Sequence, residues 1–106
     1  MVVRVLCSEK GNVSMIRVAC IQLGHSDDDS KEDRVAHAEQ LIDDVAESDL
    51  ILLPEVWNIG WWSFDMYREG SETLHGETVS RIADRARAVN AYVLAGSIIE
   101  KCGESL

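Results

Sequence analysis

The 106-residue sequence predicts an α/β domain whose elements follow the order β-α-β-α-β. Three observations support this. Short, apolar, β-branched runs recur at residues 16–22, 50–53 and 91–99. Two stretches with apolar residues at helical spacing separate them, and the links are short. Such an alternation implies parallel strands joined by right-handed crossovers.

The first run, IRVACIQ, is β-branched and mostly apolar, as a buried strand is. LGHSDDDS follows, polar and rich in turn formers, and reads as a loop. Ser30 or a neighbouring Asp can cap the helix expected over residues 31–47. Val35, Ala38, Leu41, Ile42 and Val45 share one face of that helix, and Asp33, Glu39, Gln40, Asp43 and Asp44 take the other.

Ser48 and Asp49 make a short link to LILL, a second buried strand. It stops at Pro54, which has no amide hydrogen for a ladder. Residues 58–70 read as irregular and aromatic. Gly76-Glu77-Thr78 opens a second helix with Val79, Ile82, Ala83, Ala86 and Val89 on one face, and Asn90 stops it. AYVLAGSII is the third strand, and KCGE at 101–104 starts a turn. Two helices against three strands leave one sheet face poorly covered. Residues 1–14 read as an N-terminal extension, such as a misplaced start codon would add, ahead of an incomplete domain at 15–106. The apolar run MVVRVLC is too short for a signal peptide.

Ten basic against 19 acidic residues give a net charge of −9. That balance argues against a nucleic-acid surface and against an anionic membrane. No apolar run approaches the roughly 18 residues that span a bilayer. Cys7, Cys20 and Cys102 are widely spaced, with no CxxC pair, so neither a zinc site nor a disulfide framework is expected. A reducing, cytoplasmic setting is the expectation from that cysteine usage.

Glu55 carries the chemical interest. It stands just past the carboxyl end of a strand, where open α/β folds gather ligands. Trp57, Trp61 and Trp62 lie close by in sequence and could exclude water from it, raising its pKa toward the range of a general base. Position alone leaves open whether Glu55 is a base or a solvated loop acid. It also leaves open whether the tryptophans wall a pocket, fill the core or form an interface.

Other motifs carry less. An EF-hand loop starting at Asp27 would need Gly at its sixth position, where Glu32 stands, so Asp27-Asp28-Asp29 reads as a solvated loop. Cys20 lies within a strand as a small core residue. Cys102 has only Lys101 beside it and no base. His25, His37 and His75 show no metal-ligand spacing, and Gly24, Gly60 and Gly96 form no phosphate loop.

Taken in order, IRVACIQLG, an amphipathic helix, DLILLPEVWNIGWW and GETVSRIADRARAVNAYVLAGSIIEK resemble the start of a nitrilase-superfamily (carbon–nitrogen hydrolase) domain, over about residues 15–101. The strand ending Leu-Pro-Glu before aromatics is the most specific piece. The resemblance implies the N-terminal part of a four-layer α-β-β-α sandwich. It gives Glu55 the role of general base in a Cys–Glu–Lys set, makes Trp57 and Trp61 the nearer pocket walls, and leaves Glu100 a supporting part. The implied reaction is thiolate attack on a small amide, nitrile or carbamoyl substrate, with amide hydrolysis favoured and the substrate acidic or polar. No metal or organic cofactor is implied, and the complete protein is expected to be a homo-oligomer.

In that family the lysine follows a further strand pair and the cysteine sits in a Gly-x-x-x-Cys elbow. Lys101 comes too early for the first, and Cys102 has no such elbow. The expectation is therefore an N-terminal portion that is inactive alone. The rival readings are a non-catalytic α/β interaction module using its tryptophans, and a flavodoxin-like nucleotide binder. The latter needs a phosphate cradle after Gln22, where the acidic loop repels phosphate.

Overall fold

The structure, a computed structural model, describes residues 2–9, 12–24 and 26–103. Its sheet has the order β1-β2-β3-β4. β2 (Asn12–Cys20), β3 (Leu50–Leu52) and β4 (Tyr92–Leu94) are the three expected strands, and they pair in parallel, with Val18 opposite Leu50 and Leu50 opposite Tyr92. β1 (Val2–Glu9) adds an antiparallel edge through Val2↔Ala19 to Glu9↔Asn12. The segment read as an extension thus lies in the sheet over its described residues, and β2 crosses the expected boundary at Met15 without a break. His25 and the last residue of the expected closing turn, Glu104, lie outside the described residues.

α1 (Lys31–Asp44) starts as expected at Ser30, whose side chain accepts from the Asp33 amide while Asp33 accepts from the Ser30 amide. It ends three residues earlier than the periodicity suggests, because the Val45 and Ala46 amides turn back to Ile42 and Asp43 in a tightened last turn. Residues 58–70, expected to be irregular, hold a 3₁₀ turn at Phe64–Met66 and a single helical turn, α2 (Tyr67–Gly70). α3 (Glu77–Val89) ends at Asn90, whose φ of 54° is the left-handed stop expected there. β4 is much shorter than the expected 91–99 strand. Gly96, with φ of 71°, bends the chain toward Pro54 and takes the second half of that run out of the ladder.

α1 and α3 lie side by side on one face of the sheet. Val35, Ala38 and Ile42 of α1 and Ile82 of α3 pack with Ala19, Ile51, Leu53 and Trp57 into the core. An ion network ties the two helices together outside that core. Arg81 reaches Glu32, Glu39 and Glu77, and Arg85 reaches Glu39 at 3.3 Å and Asp43 at 3.1 Å. No described helix packs on the opposite face, in line with the helix count: Ile16, Tyr92 and Leu94 are exposed around a hollow of about 550 Å³. None of the described helices is long and apolar enough to cross a membrane.

Burial pushes the Glu39 carboxyl up, but the Arg81 and Arg85 guanidinium groups outweigh it and hold the group below its ordinary value of 4.5. A folded pKa below the unfolded one adds stability above the unfolded pKa, and that stability is lost as pH falls through the folded value. Glu39→Gln is expected to cost about 1–3 kcal/mol near neutrality. Its deficit against the parent chain should shrink as pH drops below 4.5. Urea unfolding at stepped pH reads this; a deficit unchanged down to about pH 3 would contradict the pairing.

Candidate active site

The site begins where β3 runs out. The Leu53 amide still donates to the Leu94 carbonyl at 2.9 Å, and Pro54 then ends the pairing. Glu55 comes next, and its neighbour Val56 has φ of 46°. A β-branched residue in the left-handed region is a genuine outlier. It is held there from the far side of the sheet end: the Val56 amide donates to both the carbonyl (3.0 Å) and the hydroxyl (3.1 Å) of Ser97. The approach requires glycine at 96, since a Cβ there would lie 1.9 Å from the Pro54 carbonyl oxygen. Gly60 closes the turn by donating to the Val56 carbonyl at 2.8 Å.

Trp57 is buried, with its indole N–H donating to the Ala95 carbonyl at 2.8 Å. It is therefore a core residue with one edge on the site. The fully buried Asn58 donates to Thr78 and Glu72. Glu72 accepts from the Thr78 amide at 3.0 Å and from its hydroxyl, and pairs with Lys31 at 2.6 Å. Burial pushes the Glu72 carboxyl up, while the Lys31 ammonium and the Thr78 donors outweigh this and hold it below its ordinary value. This network bolts the loop after Glu55 to the first turns of α1 and α3.

A cleft of about 220 Å³ opens against this turn, lined by Glu55, Trp57, Trp61, Trp62, Arg34 and the glycines 24 and 60, with Leu23 and Pro54. It brings together three of the four site residues expected from sequence. The fourth, Glu100, is exposed and does not line the cleft; its backbone pairs with Glu72. The expected desolvation is not supplied by these residues. Glu55 is exposed, and Trp61 and Trp62, at 44% and 69% exposure, stack edge to face with each other and do not cover it. The sequence reading missed Arg34, Glu72 and Ser97. Arg34 stands four residues before the core residue Ala38, the one signal that placed it on the buried face. Ser97 lies in the Gly96-Ser97-Ile98-Ile99-Glu100 stretch, of which only Glu100 was expected to take part. Among the described residues, no group of three or more His, Cys, Asp or Glu side chains could hold a metal.

Comparison with known proteins bears on this geometry. The carbon–nitrogen hydrolase family model matches residues 17–105. A 2-oxoglutaramate amidase of Paenarthrobacter nicotinovorans is 32% identical over 99 residues, covering 93% of this chain and 33% of the amidase. Nitrilase homolog 2 of Dictyostelium discoideum is 36% identical over 74 residues, covering 68% of this chain and 22% of that protein. The chain thus spans a third or less of the length of these relatives. No solved structure gives a significant match.

The clamp on Val56 predicts an order of severity. Gly96→Ala, which forces a side chain into a left-handed position against a carbonyl, is expected to cost roughly 2–4 kcal/mol. Ser97→Ala leaves the carbonyl acceptor in place and should cost about 1 kcal/mol. Denaturant midpoints of the two variants check this; equal costs would mean that Gly96 is not held against Pro54.

Proposed function

The chain belongs to the carbon–nitrogen hydrolase family, and from that premise we propose that it supplies the general base, Glu55, of an amide-hydrolysing site. The observation that carries the proposal is the turn itself: a carboxylate at a strand end, on a strained and doubly anchored backbone, opening into a small cleft walled by indoles. Strain of this kind persists where the surroundings over-determine it, and it clusters at functional sites.

In the proposed reaction a cysteine thiolate attacks the amide carbon. The C–S bond forms to give a tetrahedral oxyanion, the C–N bond then breaks as the carbonyl reforms and ammonia leaves, and water hydrolyses the thioester. Glu55 takes the thiol proton, gives it to the leaving nitrogen, then takes a proton from the attacking water and returns it to the sulfur as the C–S bond breaks. A lysine stabilises the developing oxyanion. The cysteine and lysine are proposed to come from outside these 106 residues, because Cys102 and Lys101 do not line the Glu55 cleft. Trp57 and Trp61 act as walls, and Glu100 contributes through its backbone. Amide hydrolysis is favoured over nitrile hydrolysis because an amidase is among the relatives.

One observation favours a second reading. Trp62 and Phe64 are largely exposed and stack at 6.2 Å, as an interface for a protein partner would present them. Under that reading Trp61→Ala abolishes association and Glu55→Gln is silent.

A chain extended in frame through a lysine and a Gly-x-x-x-Cys elbow is expected to release ammonia from small amides, and the 106 residues alone are expected to release none. Glu55→Gln in the extended chain should lower kcat by roughly 10²- to 10⁴-fold. Undiminished turnover in that variant would refute the assignment of the base.

A further inference from the structure

We propose that β1 is the docking edge for a second copy of this chain, pairing antiparallel with the β1 of that copy so that the two sheets run on as one. β1 is the outer strand on one side of the sheet, and the family match, over residues 17–105, begins after it. The direction of its backbone groups follows from β2. The Arg17 carbonyl accepts from the Asp49 amide at 2.8 Å and the Ile21 amide donates to Leu52 at 2.9 Å, so the odd-numbered residues of β2 face β3. Neighbouring residues direct their backbone groups to opposite sides, so Val18, Ile16, Ser14 and Asn12 face β1. The register pairs these with Val3, Val5, Cys7 and Glu9. Val2, Arg4, Leu6 and Ser8 are left with N–H and C=O on the outer edge, where, among the described residues, no strand meets them.

Such a row is a template for another strand. Over its described residues nothing blunts it: pairing runs from Val2↔Ala19 to Glu9↔Asn12 without a bulge, across eight residues with no proline. The other edge is blunted. β4 has three residues, the Ala91 amide turns back to Ala86, and the Ala95 carbonyl takes the Trp57 indole. β1 also needs a neighbour. β3 pairs with β2 only from Val18 onward, so over residues 12–16 the sheet is two strands wide, and a two-stranded ribbon is marginal in water.

Charge selects the register. Antiparallel pairing with Leu6 opposite Leu6 sets Arg4 opposite Ser8. The two Arg4 residues then stand four positions apart, about 14 Å along the ladder and beyond the screening length of about 8–10 Å. With Val5 opposite Val5 they would come within two positions, about 7 Å, where like charges oppose pairing. The two-fold axis closes the contact at two chains. An eight-residue edge is about 26 Å long and a sheet about 10 Å thick, so pairing buries on the order of 500 Å². That is less than the roughly 1,200 Å² of a stable interface, so the dimer is weak and depends on concentration.

Sedimentation of the 106-residue chain is expected to show single chains at about 10 μM and a growing share of dimer toward about 1 mM. Leu6→Pro removes one outward N–H per chain and no bond to β2, and should raise the dissociation constant roughly tenfold. Leu6→Lys keeps the N–H but sets two like charges opposite each other, and should weaken the dimer similarly even if proline disturbs the hairpin. Tyr92→Asp, on the sheet face that no described helix covers, should leave the dimer unchanged. A chain that stays single at the highest concentration, a dimer that both Leu6 variants leave intact, or one that Tyr92→Asp alone abolishes would overturn the proposal.

Discussion

The hydrogen bonds from the Val56 amide to Ser97 are the constraint on which the site depends. They join the end of β3 to the chain beyond β4, two segments 41 residues apart. A left-handed valine costs of order 1–3 kcal/mol and needs its surroundings to enforce it. Here the enforcement is redundant: two acceptors on Ser97, the Gly60 amide on the Val56 carbonyl, and the Trp57 indole fixed to Ala95. Glu55, caught between a proline and this turn, has its backbone direction set by neighbours on both sides. The orientation of the candidate base is thus a product of parallel sheet pairing, because only parallel β3 and β4 bring both strand ends to one edge.

A second tier holds the loop after the turn. Glu72 gathers Lys31 from the start of α1, Thr78 from the start of α3, and Asn58 from the loop itself. An ion pair taken partly out of water gains little net stability, and leaving one member unpaired there is expensive. Its effect is therefore on geometry: the helix starts and the Glu55 loop keep one mutual placement. The same carbonyl–amide exchange that links Glu72 to Ile99 and Lys101 ties the end of the described chain to this hub.

The parts of the fold that arise from periodicity were legible in the sequence. The parallel order of three strands, the apolar face of α1 and the stop at Asn90 all rest on local patterns of two or 3.6 residues. The errors come where a long-range contact overrides the local pattern. AYVLAGSII has the composition of one long strand, but the Gly96–Pro54 approach ends pairing after Leu94. The position of Glu55 was readable because Pro54 and the strand end are local features. Its anchoring was not, because nothing in "PEVWN" shows that Val56 turns left-handed or that Ser97 waits opposite. Arg34 was hidden for a similar reason: an arginine on a helix reads as solvated until its neighbours are known.

Two deficits of this structure have one physical cause. Trp61 and Trp62 stand in water beside Glu55, and Tyr92 stands in water, 83% exposed, on the bare sheet face. Both are apolar surface that gains free energy, of order 25 cal/mol per Å², from being covered. Covering the indoles would do more than stabilise. It would also withdraw water from the cleft that Glu55 lines. Charges lining the cleft, the Arg34 guanidinium among them, would interact more strongly as the effective dielectric falls. Burial of the aromatic wall and the strength of the electrostatics in the cleft are therefore linked, because the hydrophobic effect that would cover the indoles would also remove the water that screens the charges.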